Sequence, residues 1–474
     1  MGALHNPVPE KQISRTVADR RAAGRSLRKE VPRYSHEVWS TAPDRPDPIS
    51  LLEEQNLSRQ AQLLPIRYSR MAASPFGFLR GGAVVMARDL AATPVTGLQV
   101  QVCGDAHLSN FGVYATAERN QVFDVNDFDE TLPGPWEWDI KRLAASVIVA
   151  GRTNGFSTGT NRQAVLQCVR EYRERMWEYA DMSYLDVWYA RLDPASVRRF
   201  VGRSDRSFVD KELRQSRHHS DLAVFPRLTQ ERDGHYRIKG DPPLITRLDD
   251  NELEQRLSTL LAGYSDSLQE DRRLLLSKYR FIDIVQKVVG VGSVGTRCYI
   301  ALLLGSESSD PLFLQVKEAQ ASVLERHLGL SSYSSHAHRV VSGQRIMQAA
   351  SDLFLGWTAT NPFNFYVRQL RDMKLSVDIS SLNSRRFIEY CRLCGWTLAR
   401  AHARSGDPAE ISGYLGRGNT FEQAIAAFAE TYADQTGQDH AALVAAIREG
   451  RISVKETDQP QTPSGPLVTP EAFL

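Results

Sequence analysis

Cys103-Gly104-Asp105-Ala106-His107-Leu108-Ser109-Asn110 closes an alternating apolar run from Leu98 to Val102, and Asn126-Asp127-Phe128-Asp129-Glu130 closes a second one, Gln121-Val122-Phe123-Asp124-Val125. Period-two alternation predicts two strands, each delivering a carboxylate-bearing loop at its end. Asp105 precedes Asn110 by five residues, and Asp127 follows Asn110 by seventeen. Phosphoryl transfer needs a carboxylate that positions or deprotonates an attacking hydroxyl, with oxygen ligands nearby that hold magnesium. The spacing assigns Asp105 the first task, and Asn110 and Asp127 the second. Asp and Asn are also common loop caps and turn formers. Each half alone is therefore ambiguous, and the order and spacing of the two together favour the site. His107 is assigned loop support within that site.

The second informative stretch is Gly290-Val291-Gly292-Ser293-Val294-Gly295. A G-x-G-x-x-G fits either a dinucleotide fingerprint, which must open a helix, or a phosphate loop between two strands. Here it leads into Arg297-Cys298-Tyr299-Ile300-Ala301-Leu302, rich in strand formers, which selects the strand-turn-strand version. The next predicted strand carries Lys317 in Leu314-Gln315-Val316-Lys317-Glu318. A buried ammonium needs an anionic partner, and a nucleotide phosphate is one; an exposed edge-strand lysine is the plainer alternative. The expected nucleotide-binding residues are therefore Gly290, Gly292, Ser293, Gly295 and Lys317.

Working outward, the chain divides by pattern into a basic N-terminal arm (1–50), a catalytic segment (51–195), a charged connector (196–280) with a turn at Asp233-Gly234, and a small β lobe (281–375). Returning helices (376–452) and a Pro-rich, disordered tail (453–474) complete the expected organisation. The arginines of the arm, and Arg67, Arg70 and Arg80 further on, are expected on solvated helix faces. Lys and Arg number 58 against 56 for Asp and Glu, so a net charge of +2 offers no whole-chain basis for binding nucleic acid or a membrane. No run approaches the roughly 20 apolar residues that span a bilayer. Five scattered cysteines, including the lone pair Cys391 and Cys394, are expected as reduced core thiols of a cytoplasmic protein.

Ser74-Pro75-Phe76-Gly77-Phe78-Leu79-Arg80-Gly81, the two acidic loops, Trp136-Glu137-Trp138-Asp139, the Lys317 strand and Leu398-Ala399-Arg400-Ala401-His402-Ala403-Arg404 together resemble an uncharacterised bacterial family, the domain of unknown function numbered twenty-two fifty-two. More remotely, the acidic loops are similar to those of aminoglycoside phosphotransferases and choline kinases. That resemblance implies an α+β, protein-kinase-like, two-lobed fold with Asp105 as base, Asn110 and Asp127 as magnesium ligands, ATP as donor and a small-molecule or protein hydroxyl as acceptor. Asp124 competes with Asp127. Asp139 is either the brace of the Asp105 loop or, by preference, a helix N-cap. Three departures stand out: Cys103 replaces a histidine, no glutamate is evident to pair Lys317, and the glycine loop follows the acidic loops instead of preceding them. The last implies a circular permutation. AMP transfer on the same fold, and a nucleotide-binding pseudokinase acting through a partner, are the alternatives.

Overall fold

The structure, a computed structural model, describes residues 15–217, 221–247, 260, 263–307, 310–359, 362–370 and 373–455. The first part of the N-terminal arm, most of the tail and part of the segment joining the β lobe to the returning helices lie outside the described residues. The chain is α+β, with 54% helix and 16% strand.

Strands β1 (Gln99–Val102) and β4 (Leu132–Pro135) pair antiparallel, and β2 (Phe111–Ala115) pairs with β3 (Gln121–Val125). The two acidic loops therefore emerge from neighbouring ribbons. The Trp136–Thr153 helix follows β4 and is buried on every face from Trp136 to Gly151. Around it stand the helices Thr158–Ala180, Ser384–Ala403 and Thr420–Arg448. At Gly395 the Ser384–Ala403 helix comes so close to its neighbour that a Cβ would lie 2.2 Å from the Cys168 carbonyl oxygen.

After the hairpin of β5 (Thr229–Arg232) and β6 (His235–Ile238), whose turn residues Asp233 and Gly234 have φ of 54° and 73° as a type I′ turn requires, a six-stranded antiparallel sheet forms. It consists of β7 (Ile245–Arg247), β8 (Arg280–Lys287), β9 (Cys298–Leu304), β10 (Pro311–Ala319), β11 (Gly356–Ala359) and β12 (Asn364–Gln369), in the order β11-β12-β10-β9-β8-β7. Alternation along β9 divides Ile300, Leu302 and Leu304 from Tyr299, Ala301 and Leu303, and each set joins a separate apolar cluster. Burial on both faces explains why β9 reads as continuously apolar. The short β13 (Leu375–Ser376) adds to β2, tying the end of this region to the acidic-loop ribbons.

Arg28, Arg33 and Arg45 of the N-terminal arm turn inward, whereas Arg15 and Arg25 stay exposed as the sequence suggested. Arg28 donates to the Tyr414 carbonyl at 2.7 Å and Arg33 to that of Leu415 at 2.7 Å. Arg45 bridges the buried carboxylates of Asp89 (2.8 Å) and Asp439 (2.7 Å), fastening the arm to the Thr420–Arg448 helix. Arg67 is likewise fully buried, donating to the Gly81 carbonyl at 2.8 Å, where the sequence suggested a solvated face.

Candidate active site

Gly104 makes the first acidic loop possible. Its φ of +78° is one that side chains rarely adopt, and a Cβ there would sit 2.4 Å from the Glu130 carbonyl oxygen. The loop's amides are held from below: Asp139 accepts from the Cys103 N–H at 2.8 Å and the Gly104 N–H at 3.0 Å. His402 stands 3.2 Å from the same carboxylate and 2.9 Å from the Tyr172 hydroxyl. Asp139 is thus the loop's brace and not the helix N-cap preferred from the sequence; that position belongs to Pro135.

Asn110 stitches the two loops together. Its amide nitrogen donates to the Asp105 carbonyl (3.1 Å) and the Asp127 carbonyl (3.0 Å), while its oxygen accepts the Asp127 N–H at 2.6 Å. Both carboxylates then face one cleft. Asp105 is ion-paired with Arg142 from the Trp136–Thr153 helix. Burial raises the Asp105 carboxyl and the Arg142 charge opposes this, leaving it at about 6. His107 Nε2 lies 3.7 Å from Asp105, and burial followed by the charges of Arg80 and Arg142 keeps the ring neutral.

Lys317 reaches this cleft from the centre of the six-stranded sheet. It lies on β10 between β9 and β12, almost wholly buried, so the exposed edge-strand alternative fails. Its Nζ is 2.5 Å from Asp129 and 3.4 Å from Asp127. Burial would raise the Asp127 carboxyl, but Lys317, Arg368 and Lys374 outweigh it and hold it below the usual carboxylate range. The acidic partner missing from the helix after Lys317 (His336–Met347) is therefore supplied by the second acidic loop. That helix instead contributes Arg339, which donates to the carbonyls of Thr131 (2.6 Å) and Asp129 (2.8 Å) and so fixes the loop's backbone.

The glycine loop completes the enclosure. It joins β8 to β9 through a short 3₁₀ turn, Val291–Ser293, and no helix begins at Gly295, as a dinucleotide fingerprint would need. Ser293 Oγ donates to Asp129 at 3.0 Å, and Tyr366 donates to the other oxygen of the same carboxylate at 2.7 Å. Gly292, Ser293, Arg80, Asp105, Asp127, Asp129 and Glu130 share one cleft. It opens into a larger pocket that shares Asp129, Glu130, Gly292 and Ser293. Gly290 and Gly295 do not line it; Gly295, with φ +94°, lies under Arg59.

Sequence reasoning missed Asp129, the nearer partner of Lys317, and Arg142. The available signal for Arg142 was its position three residues after Asp139, which puts both on one helix face towards the Asp105 loop. Asp124, the competitor of Asp127, pairs with Arg400 at 2.5 Å and accepts the Ala349 N–H at 2.8 Å, outside the cleft.

The chain belongs to the bacterial family described as "Uncharacterized protein conserved in bacteria (DUF2252)", whose model matches residues 59–446. No curated protein and no solved structure matches it.

Proposed function

We propose that this protein is an ATP- and magnesium-dependent phosphotransferase built on a circularly permuted, protein-kinase-like frame, acting on a hydroxyl of a small molecule or protein. The observation that carries this reading is the meeting of Lys317 with Asp127 and Asp129 beneath Gly292 and Ser293, with Asp105 in the same cleft. Positioning and charge neutralisation are what phosphoryl transfer asks of a protein, and these residue types supply both.

Asp105, ionised above about pH 6, accepts the acceptor's hydroxyl proton. Lys317, already drawn to two carboxylates, turns to a phosphate oxygen of the donor, and the Gly292 amide with the Ser293 hydroxyl holds the phosphates in line. Asp127, whose side chain is 43% exposed, and the second lone pair of the Asn110 amide oxygen offer hard oxygen ligands suited to magnesium. Among the described residues no set of three or more His, Cys, Asp or Glu side chains forms a metal centre, so the ion's other ligands would be phosphate and water oxygens. Bound there, magnesium would neutralise the phosphate charge that develops during transfer. Five free, buried cysteines suit a cytoplasmic setting.

AMP transfer uses the same groups with the nucleotide reversed. A non-catalytic, nucleotide-sensing role draws support from the Arg142 pairing of Asp105. Calorimetry with ATP and magnesium on wild type, Lys317→Met and Asp127→Asn tests nucleotide binding, and wild type without measurable binding overturns the proposal. Intact-mass analysis of protein and acceptors after incubation separates a gain of phosphate from a gain of AMP. ATP binding with no consumption under any acceptor condition leaves the sensing role.

A further inference from the structure

A second cavity lies behind β2 and β3 and shares no lining residue with the acidic cleft. Val113, Phe123, Val197, Val209, Leu213 and Leu393 form much of its wall, drawn from β2, β3, the helices Pro194–Phe200 and Arg206–Arg217, and the Ser384–Ala403 helix. Polar groups in the wall are already engaged. Gln121 donates to the Leu213 carbonyl at 2.7 Å, and the Tyr390 hydroxyl donates to the carbonyls of Leu108 (2.7 Å) and Phe111 (3.2 Å). Water in such a space would lack the two to four partners it needs, so an apolar occupant suits it better.

The charged rim says more about that occupant. Asp205 pairs with Arg385 at 2.7 Å and Arg386 at 3.1 Å, and Glu389 pairs with Arg392 at 3.0 Å. Glu212, half-buried at the same rim, makes no hydrogen bond or ion pair with a described residue; its electrostatic neighbours are Lys211, adjacent in sequence, and Asp378. Burial holds its carboxyl above the ordinary range against the opposing charge of Lys211. We propose that this cavity binds a lipophilic small molecule bearing one basic group, with its apolar body between the strands and helices and its cation on Glu212. Through Tyr390, which lines the cavity and grips the Asp105 loop, such a ligand would sit against the back of the acidic site without entering it.

Titration of the full chain with dodecylamine, dodecanol and dodecanoate by calorimetry tests the assignment. The amine should bind saturably, at least about tenfold tighter than the alcohol, as a charge-assisted contact gives, and the carboxylate weakest. Glu212→Gln should erase the amine's advantage while leaving the alcohol bound. Val197→Phe should abolish binding of both; should that variant fail to fold, Val209→Phe fills the cavity from its half-exposed wall. Absence of saturable amine binding, an amine no tighter than dodecanoate, an advantage that survives Glu212→Gln, or binding that survives the cavity-filling variant each overturns the proposal.

Discussion

Lys317 and Asp105 show how burial and charge divide the work at single residues. Lys317 offsets two carboxylates that only partly face solvent, so Lys317→Met should cost about 2–3 kcal/mol, somewhat less than the roughly 3–5 of a wholly buried pair. Because Asp127 is held below its ordinary pKa, this stabilisation exists above about pH 4 and fades as pH falls further. Urea unfolding at pH 7 and at pH 3 should show a large gap between wild type and variant at the first and a smaller one at the second. Asp105 behaves oppositely, since its carboxyl is raised to about 6 and its charged form is the costly one. Asp105→Asn should therefore fold while losing about 10²–10⁴-fold in turnover. Wild-type turnover should fall as pH drops through 6. Replacing Arg142 by Met removes the charge that opposes burial, so the acid limb of the rate profile should move to higher pH.

At the scale of loops, strands and helices, Gly104 is the most exacting position. Gly104→Ala places a methyl group against the Glu130 carbonyl and strains a left-handed backbone, which should cost about 1–3 kcal/mol or more and slacken both acidic loops. Thermal denaturation compared with Asp105→Asn would separate that loss from loss of chemistry. The strand alternation before both loops, the strand-turn-strand context of the glycines and the long terminal helices were legible, because each carries its own periodicity or turn chemistry. The returning helices expected over 376–452 run Ser384–Ala403, Pro408–Leu415 and Thr420–Arg448. Strand β4, Leu132-Pro133-Gly134-Pro135, carries no strand signal of its own, and only its pairing with β1 makes it extended. The helix His336–Met347, with Ser335 as its N-cap, lies inside the predicted β lobe (281–375). In the site, Asp105, Asn110 and Asp127 were visible from spacing, whereas the roles of Asp129, Arg142 and Arg339 depend on segments that meet only after folding.

Across the whole molecule, charge is balanced locally, and the near-neutral total conceals buried clusters. Arg45 is one of these connections, joining a residue before the family-matched region to Asp89 and to Asp439 near its end. Arg45→Met would leave two buried carboxylates without their cation and should cost about 3–5 kcal/mol. Chemical denaturation checks this, and Asp89→Asn in the same background should recover part of the loss. The basic N-terminal stretch was read as an arm because composition alone does not reveal that its carbonyl partners lie at 413–415.

The glycine loop is tethered from outside the sheet that bears it: Arg59 donates to the Val294 carbonyl at 2.6 Å, the Gln60 N–H to that of Gly295 at 2.8 Å, and Arg70 to that of Val289. A free flap could lift over an incoming ligand by itself, but this one is moored to the helices before the acidic loops. Admission of any large guest must therefore involve the N-terminal helices, and traffic through the cleft would answer to whatever grips them.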